Sequence, residues 1–292
     1  MPRGALPKSQ GKSLIILGCG YVGRRLAEEA IEAGWSVAAL TRNSGKAEML
    51  REMGVQTVCA DLAESGWHAA FPGAFDVVVN SVSSGRGGAE QRRRSYVEGT
   101  RSILRWAERC GPAALIHLSS ISVYPQRGGE FVDEETSTAG VGERGAVQLE
   151  AEALVREAAG GSGRGSILRL GGIYGPGRTV LFAKIKSGEP LSGRPDEHLN
   201  LIHRDDVCAA CWAALDVLEK GGVETFNVVD DAAATRGEIA SWLAAQAGVA
   251  PPRFDGTPGN DRIVSNAKIK HALGWSPGVP TYREGYANLL SR

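Results

Sequence analysis

The sequence predicts an α/β fold, a doubly wound parallel sheet followed by a smaller C-terminal domain, and three observations carry that prediction. Short apolar runs alternate with amphipathic stretches up to about residue 171, the order that right-handed crossovers wind into a parallel sheet. The first apolar run ends in Gly18-Cys19-Gly20-Tyr21-Val22-Gly23, a G-x-G-x-x-G with a strand before it and a helix after it. Past Gly171 the alternation gives way to shorter, irregular segments.

Taken in order, residues 14–17 are the first strand. The helix over 21–33 puts Val22, Leu26, Ala30 and Ala33 on one face and Arg24, Arg25, Glu28, Glu29 and Glu32 outside; Gly34 ends it. A strand over 35–40, a helix over 46–53 and strands over 55–60 and 75–80 follow. Residues 81–88 read as a flexible polar loop, 90–110 as one long helix, 113–118 as the fifth strand, 125–142 as a loop and 142–159 as a helix. Residues 160–165 form a turn and 166–170 the sixth strand. Residues 172–178 read as a loop, with short elements over 179–187, 199–202, 205–220, 225–229, 235–247, 267–273 and 282–290. This divides the chain into a loose leader (1–12), a nucleotide-binding domain of Rossmann type (13–172) and a smaller, partly interleaved substrate domain (173–292).

Composition narrows the function. Lys and Arg number 33 against 33 Asp and Glu, which argues against a nucleic-acid or anionic-membrane surface. Residues 1–12 lack the apolar centre of a signal peptide, and no apolar run approaches the roughly 20 residues of a membrane span. The expectation is a soluble, cytoplasmic protein. Five scattered cysteines read as reduced thiols. Gly11-Lys12-Ser13 imitates the end of a phosphate-binding P-loop, but Leu6 stands where that motif needs glycine, and the strand comes after it. Cys208 and Cys211 share a helical face and read as two small buried thiols, since one pair cannot complete a four-ligand zinc site. No metal is implied.

The glycine fingerprint points to a dinucleotide. Gly18 permits the tight turn and Gly20 lets backbone approach a pyrophosphate at a helix N-terminus. Gly23 lets helix and strand pack closely. The competing account is a glycine-rich turn with no ligand, against which the flanks speak. After the second strand stands Thr41-Arg42-Asn43, with no Asp or Glu to bind ribose hydroxyls as NAD sites have. A carboxylate would repel a 2′-phosphate and Arg42 could pair with it, so NADP is expected over NAD. Arg42 also has an account as an ordinary surface arginine. Asp61 either accepts from an adenine amino group or caps a helix. Cys19, Tyr21, Val22, Leu62, Asn80, Ser81 and Ser119 complete the cofactor-binding candidates.

Several motifs in order carry a family resemblance: the fingerprint, Asp61-Leu62, Ser119-Ser120-Ile121-Ser122-Val123-Tyr124, Leu168-Arg169-Leu170-Gly171-Gly172-Ile173-Tyr174-Gly175-Pro176-Gly177-Arg178, Leu201-Ile202-His203-Arg204-Asp205-Asp206-Val207 and Leu273-Gly274-Trp275-Ser276-Pro277. From about residue 14 to the C-terminus the chain resembles the extended short-chain dehydrogenase/reductases, the NAD-dependent epimerase/dehydratase group. The resemblance implies a Rossmann domain with a small substrate domain, and a Ser or Thr acting with a Tyr-x-x-x-Lys pair. The Ser/Thr position falls on Ser120. Counting along the helix, with Glu152 matching a common glutamate, puts Arg144 at the tyrosine and Gln148 at the lysine, and Tyr96 stands where many members have asparagine. None of the six tyrosines has lysine four residues later. The chain therefore resembles an atypical member that has lost the usual acid–base pair. Ser120 and Tyr124 are the catalytic candidates, with a packed aromatic as the alternative account of Tyr124. Arg144, Tyr174 and Arg178 are the substrate-binding candidates. Two functions follow: an NADP-dependent oxidoreductase or epimerase acting on a hydroxyl or carbonyl, a nucleotide sugar among its candidate substrates, or a non-catalytic NADP(H) sensor or partner-binding module.

Overall fold

The structure, a computed structural model, describes residues 11–85, 87–111, 114–158, 164–218 and 221–290. Most of the leader and of the turn predicted over 160–165 lies outside them. The elements run β1 (Ser13–Leu17), α1 (Tyr21–Glu32), β2 (Ser36–Thr41), α2 (Ser44–Glu52), β3 (Gln56–Cys59), β4 (Val77–Asn80), α3 (Ala89–Arg93), a π-helical turn (Arg94–Glu98), α4 (Gly99–Cys110), β5 (Ala114–Ser120), β6 (Glu130–Val132) and α5 (Glu143–Ala158). Then come β7 (Arg164–Leu170), β8 (Gly172–Tyr174), α6 (Val180–Lys186), β9 (Leu201–His203), α7 (Arg204–Leu218), β10 (Gly222–Val228), α8 (Arg236–Ala247), β11 (Arg262–Val264), α9 (Ala267–Leu273) and α10 (Tyr282–Leu290).

Seven strands form a parallel sheet in the order β10-β7-β5-β4-β1-β2-β3. β1 and β4 are buried along nearly their whole length, the pattern of central strands covered on both faces. The strand order reverses between β1 and β4, so the crevice of a doubly wound sheet opens past their carboxyl ends. One apolar core packs Ile15, Leu17 and Leu40 against Trp67, Phe71 and Trp106.

The chain divides into two compact units: 1–123, 141–169 and 208–226 form the first, and 124–140, 170–207 and 227–292 the second. The second has its own core, in which Tyr174, Leu201, Ile239, Leu243, Tyr282 and Tyr286 are buried together. Its small sheets pair β8 with β9 and β6 with β11, each in parallel.

Several expectations are corrected. The segment read as one helix over 90–110 is broken by the π turn at Arg94–Glu98. The fifth strand runs on through Ser119 and Ser120. The loops expected over 125–142 and 172–178 contain β6 and β8; three-residue strands have no period for a sequence pattern to show. β10, from the segment assigned to the partly interleaved second domain, joins the central sheet. Cys208 and Cys211 are buried and free of disulfides. Among the described residues no group of three His, Cys, Asp or Glu could hold a metal ion, and no helix is long and apolar enough to cross a membrane.

Candidate functional site

The glycine turn is shaped by contact. Gly18 has a φ of 82°, and a Cβ there would stand 2.5 Å from the Cα of Val82, so the position admits only glycine. Its amide and that of Cys19 both donate to the Leu40 carbonyl, at 3.0 and 2.8 Å. A Cβ on Gly23 would meet Ile16 Cγ2 at 2.8 Å and Ser81 Oγ at 3.0 Å, which is the close helix–strand approach. Gly20 is different: its Cβ would find only the Gly18 carbonyl, 3.7 Å away. The space above Gly20 is open, and α1 begins there with no side chain capping it and no acid in its first turn. An uncapped N-terminus with room at the backbone fits a pyrophosphate. Val22 is buried on the inner face of α1, Tyr21 is half-buried, and burial pushes the Cys19 thiol up to about 12, so Cys19 packs as a neutral thiol.

At the end of β2, Thr41 is buried and Arg42 is exposed. Asn43 caps α2, its Oδ1 accepting from Lys46 N at 2.9 Å, a role the sequence reading did not assign. Arg42 Nη1 lies 4.0 Å from Asp61 Oδ2, and Arg94 Nε donates to the same oxygen at 3.1 Å. The other carboxylate oxygen accepts from Ala63 N at 2.9 Å, closing an Asx turn. Burial works against ionisation of Asp61, but the Ala63 amide and Arg94 outweigh it and hold the carboxyl below its usual range. Two exposed arginines thus flank a fully engaged carboxylate. The Leu62 side chain is in the core, and its carbonyl accepts from Trp67 Nε1.

The other end of this unit's carboxyl edge is built from side chains. Asn80 is buried, its Nδ2 reaching Thr100 Oγ1 at 3.3 Å and His117 Nδ1 at 3.1 Å. Ser81 donates to the Gly18 carbonyl at 3.0 Å, tying the β4 exit to the glycine turn. Ser119 donates to Glu152 Oε1 at 2.7 Å. Glu152 is wholly buried and is gripped by Arg169 (Nε at 3.0 Å, Nη2 at 2.8 Å) and by Arg156 at 3.0 Å. Burial alone would push that carboxyl up; Arg169, Ser119 and Arg156 bring it below its usual range. Ser120 Oγ accepts from Ser122 N at 3.1 Å. On α5, a Cβ on Gly145 would collide with the Ser122 carbonyl, so the helix meets this turn backbone to backbone. Gln148 is buried with its Oε1 unpartnered, and Arg144 is exposed. Gly145, which meets Ser122, and Glu152, which holds Ser119, share one helical face with Gln148. Neither a phenol nor an ammonium stands at these two positions.

Tyr124 belongs to the second unit and is buried at 1% exposure, its hydroxyl donating to Asn227 Oδ1 at 2.8 Å. Its proton is committed, and the packed-aromatic account describes it. Tyr174 is buried as well, stacked on Tyr286 with centroids 4.9 Å apart. Burial, reinforced by Asp230 and Asp206, pushes its phenol far above the usual value. Tyr174 and Arg178 do come together, on the wall of a cavity of about 410 Å³ within the second unit. Leu191, Leu199 and Phe254 line it too, with Lys184 and Arg236 as further cations. An apolar wall with Arg178 and Lys184, and with Arg236 paired to buried Glu197 at 3.5 Å, suits a ligand with an apolar part and an anionic part. Sequence reasoning missed Lys184 and Arg236, which stand on two different helices and share no motif.

Comparison with known proteins agrees with this architecture. The model of the NAD dependent epimerase/dehydratase family matches residues 14–228. Protein YeeZ of Escherichia coli strain K12 is 28% identical over 280 residues, covering 92% of this chain and 97% of the relative. A 3-diazoavenalumate denitrifying reductase of a Streptomyces species is 26% identical over 302 residues, 91% of this chain and 96% of the relative. The structure of UDP-glucuronic acid 4-epimerase from Bacillus cereus in complex with NAD superposes with a TM-score of 0.80 at 19% identity, over 96% of this chain and 98% of that one.

Proposed function

Since the chain belongs to the NAD dependent epimerase/dehydratase family, we propose that it is an NADP-dependent oxidoreductase or epimerase acting on a hydroxyl or carbonyl of an anionic, nucleotide-sugar-like substrate. One observation carries the reading: an open, uncapped glycine turn on the same carboxyl edge as exposed Arg42, whose neighbouring carboxylate, Asp61, is engaged by Arg94 and the Ala63 amide. Gly18–Gly23 would hold the pyrophosphate. Arg42, with Arg94 beside it, would face a 2′-phosphate. When bound, the dinucleotide supplies or accepts a hydride; Ser120, whose hydroxyl proton has no acceptor among the described residues, would donate to the reacting oxygen. The cavity within the second unit, by itself, suits an anionic ligand with an apolar part.

The replacement of the Tyr and Lys positions by Arg144 and Gln148 favours a second reading, an NADP(H) sensor without turnover. Hydride exchange from labelled NADPH separates the two. Exchange with a carbonyl, and tighter binding of NADP than of NAD by calorimetry, are the expected results. Binding without exchange across aldehydes, ketones and nucleotide-linked keto sugars would leave the sensor; equal affinities would remove the NADP preference.

A further inference from the structure

We propose that Tyr96 is the proton donor that replaces the missing acid–base pair. This rests on the reading of the protein as a carbonyl-reducing enzyme.

The argument begins with position. Asn80 ends β4 and pairs in register with His117 of β5. Its side chain reaches Thr100, whose hydroxyl donates to the Tyr96 carbonyl at 2.6 Å. Tyr96 is one turn nearer the helix N-terminus than Thr100, about 6 Å further along the helix. Ser120 is three residues beyond His117, about 10 Å further along its strand. Tyr96 Oη accepts from Ser84 N at 3.3 Å, in the loop that leaves β4. Tyr96 therefore lies past the carboxyl end of β4 and Ser120 at the carboxyl end of neighbouring β5, the edge on which doubly wound sheets bind their ligands.

The second observation is elimination. Of the six tyrosines, Tyr124, Tyr174, Tyr282 and Tyr286 are buried at 3% exposure or less. Tyr21 lies in the first turn of α1, at the glycine turn. Glu152 is committed to two arginines, and His117 is fully buried, its imidazole pushed down to about 4 by burial. Tyr96 remains, half-buried, its oxygen accepting a backbone N–H and its proton without an acceptor among the described residues. That arrangement suits a donor: the proton is free to leave, and the Ser84 amide already points at the oxygen where charge would develop.

The third is the helix itself. Tyr96 is the central residue of the π turn, which packs against α5. Such turns occur frequently at functional sites, and this one sits beside the helix that carries Gln148.

In the step, a hydride reaches the carbonyl carbon, the C=O π pair moves to oxygen, and Tyr96 gives that oxygen its proton. The carbonyl would become an alcohol, a bound reduced dinucleotide would be the source of the hydride and its two electrons, and the Tyr96 phenolate, held by Ser84 N–H, would recover a proton from water.

The test compares wild type with Tyr96→Phe. NADPH affinity by calorimetry and the melting temperature should stay close to wild type. The kcat for NADPH oxidation on any carbonyl the wild type reduces should fall about a hundredfold or more. Independently of activity, tetranitromethane should nitrate Tyr96 in the free protein, and NADPH should protect it. A Tyr96→Phe variant within about twofold of the wild-type kcat would overturn the role of Tyr96 while leaving the enzymatic reading intact. Parallel loss of NADPH affinity and thermal stability, or a Tyr96 that is unreactive or unprotected, would overturn it as well. A wild type that binds NADPH and reduces nothing would overturn both.

Discussion

The two ends of the carboxyl edge in the first unit are built by different means. At the glycine turn, backbone does the work: Gly18 is dictated by φ and by Val82, Gly23 by Ile16 and Ser81, and Gly20 by the space it leaves. At the β5–α5 corner, side chains do it: Ser119, Glu152, Arg169 and Arg156 interlock. A backbone cradle admits few substitutions: Gly18 has a left-handed conformation, and side chains at Gly18 and Gly23 would collide with their neighbours. A side-chain site can exchange its chemistry and keep its shape. The first unit thus sets a turn fixed by its backbone beside a corner fixed by its side chains.

Four substitutions would break or sharpen that contrast. The largest effect is expected from Glu152→Ala, which removes the buried carboxylate that holds Arg169 and should cost about 3–5 kcal/mol of stability in urea unfolding; a loss below about 1 kcal/mol would show that the corner does not depend on this carboxylate. Next comes Gly20→Val, whose side chain fills the one open place in the cradle. Dinucleotide affinity should drop at least about a hundredfold, ~2.7 kcal/mol, with little change in melting temperature. Unchanged affinity would put the pyrophosphate elsewhere. Arg42→Ala should cost NADP about ten- to a hundredfold, 1.4 kcal/mol per decade, and barely touch NAD; an equal loss for both dinucleotides would make Arg42 structural rather than selective.

The smallest is a pH effect at the corner. Burial pushes His117 down from 6.5 to about 4, so between these values the unfolded chain binds a proton that the native protein refuses. Stability should therefore rise as pH rises from about 4 to about 6.5 and level off above. His117→Asn should flatten that slope by more than about 1 kcal/mol across the window. A variant with the wild-type slope would assign the dependence to other groups.

The sequence was most informative where backbone geometry restricts residue type. Three glycines at fixed offsets, flanked by a strand and a helix, mark a turn whatever the rest of the chain does. β1, β2 and β4 were legible because strands buried on both faces read as unbroken apolar runs. Ser119 and Ser120 hid the end of β5, since serine does not read as strand. β6, β8, β9 and β11 each span three residues, too short for periodicity to separate them cleanly from loops. Nothing in the helix pattern over 90–110 betrays a π turn, because Tyr96 keeps its place in the apolar stripe within a residue. Gly145 in a first helical turn was a usable signal of close approach. Tyr96 against Ser84, and Lys184 with Arg236 around one cavity, are pairings through space with no spacing along the chain to announce them.

The place of β10 in the central sheet bears on how the protein comes into being. The strand that covers the outer edge of β7 begins at residue 222, more than fifty residues after β7 ends. During synthesis the other six strands of the sheet emerge while that edge still bears unpaired N–H and C=O groups, an invitation to pairing with another chain. A fragment cut at residue 172 to isolate a nucleotide-binding domain would keep that edge bare permanently. It should aggregate where the full chain does not, and co-expression with the missing 208–228 segment should rescue it.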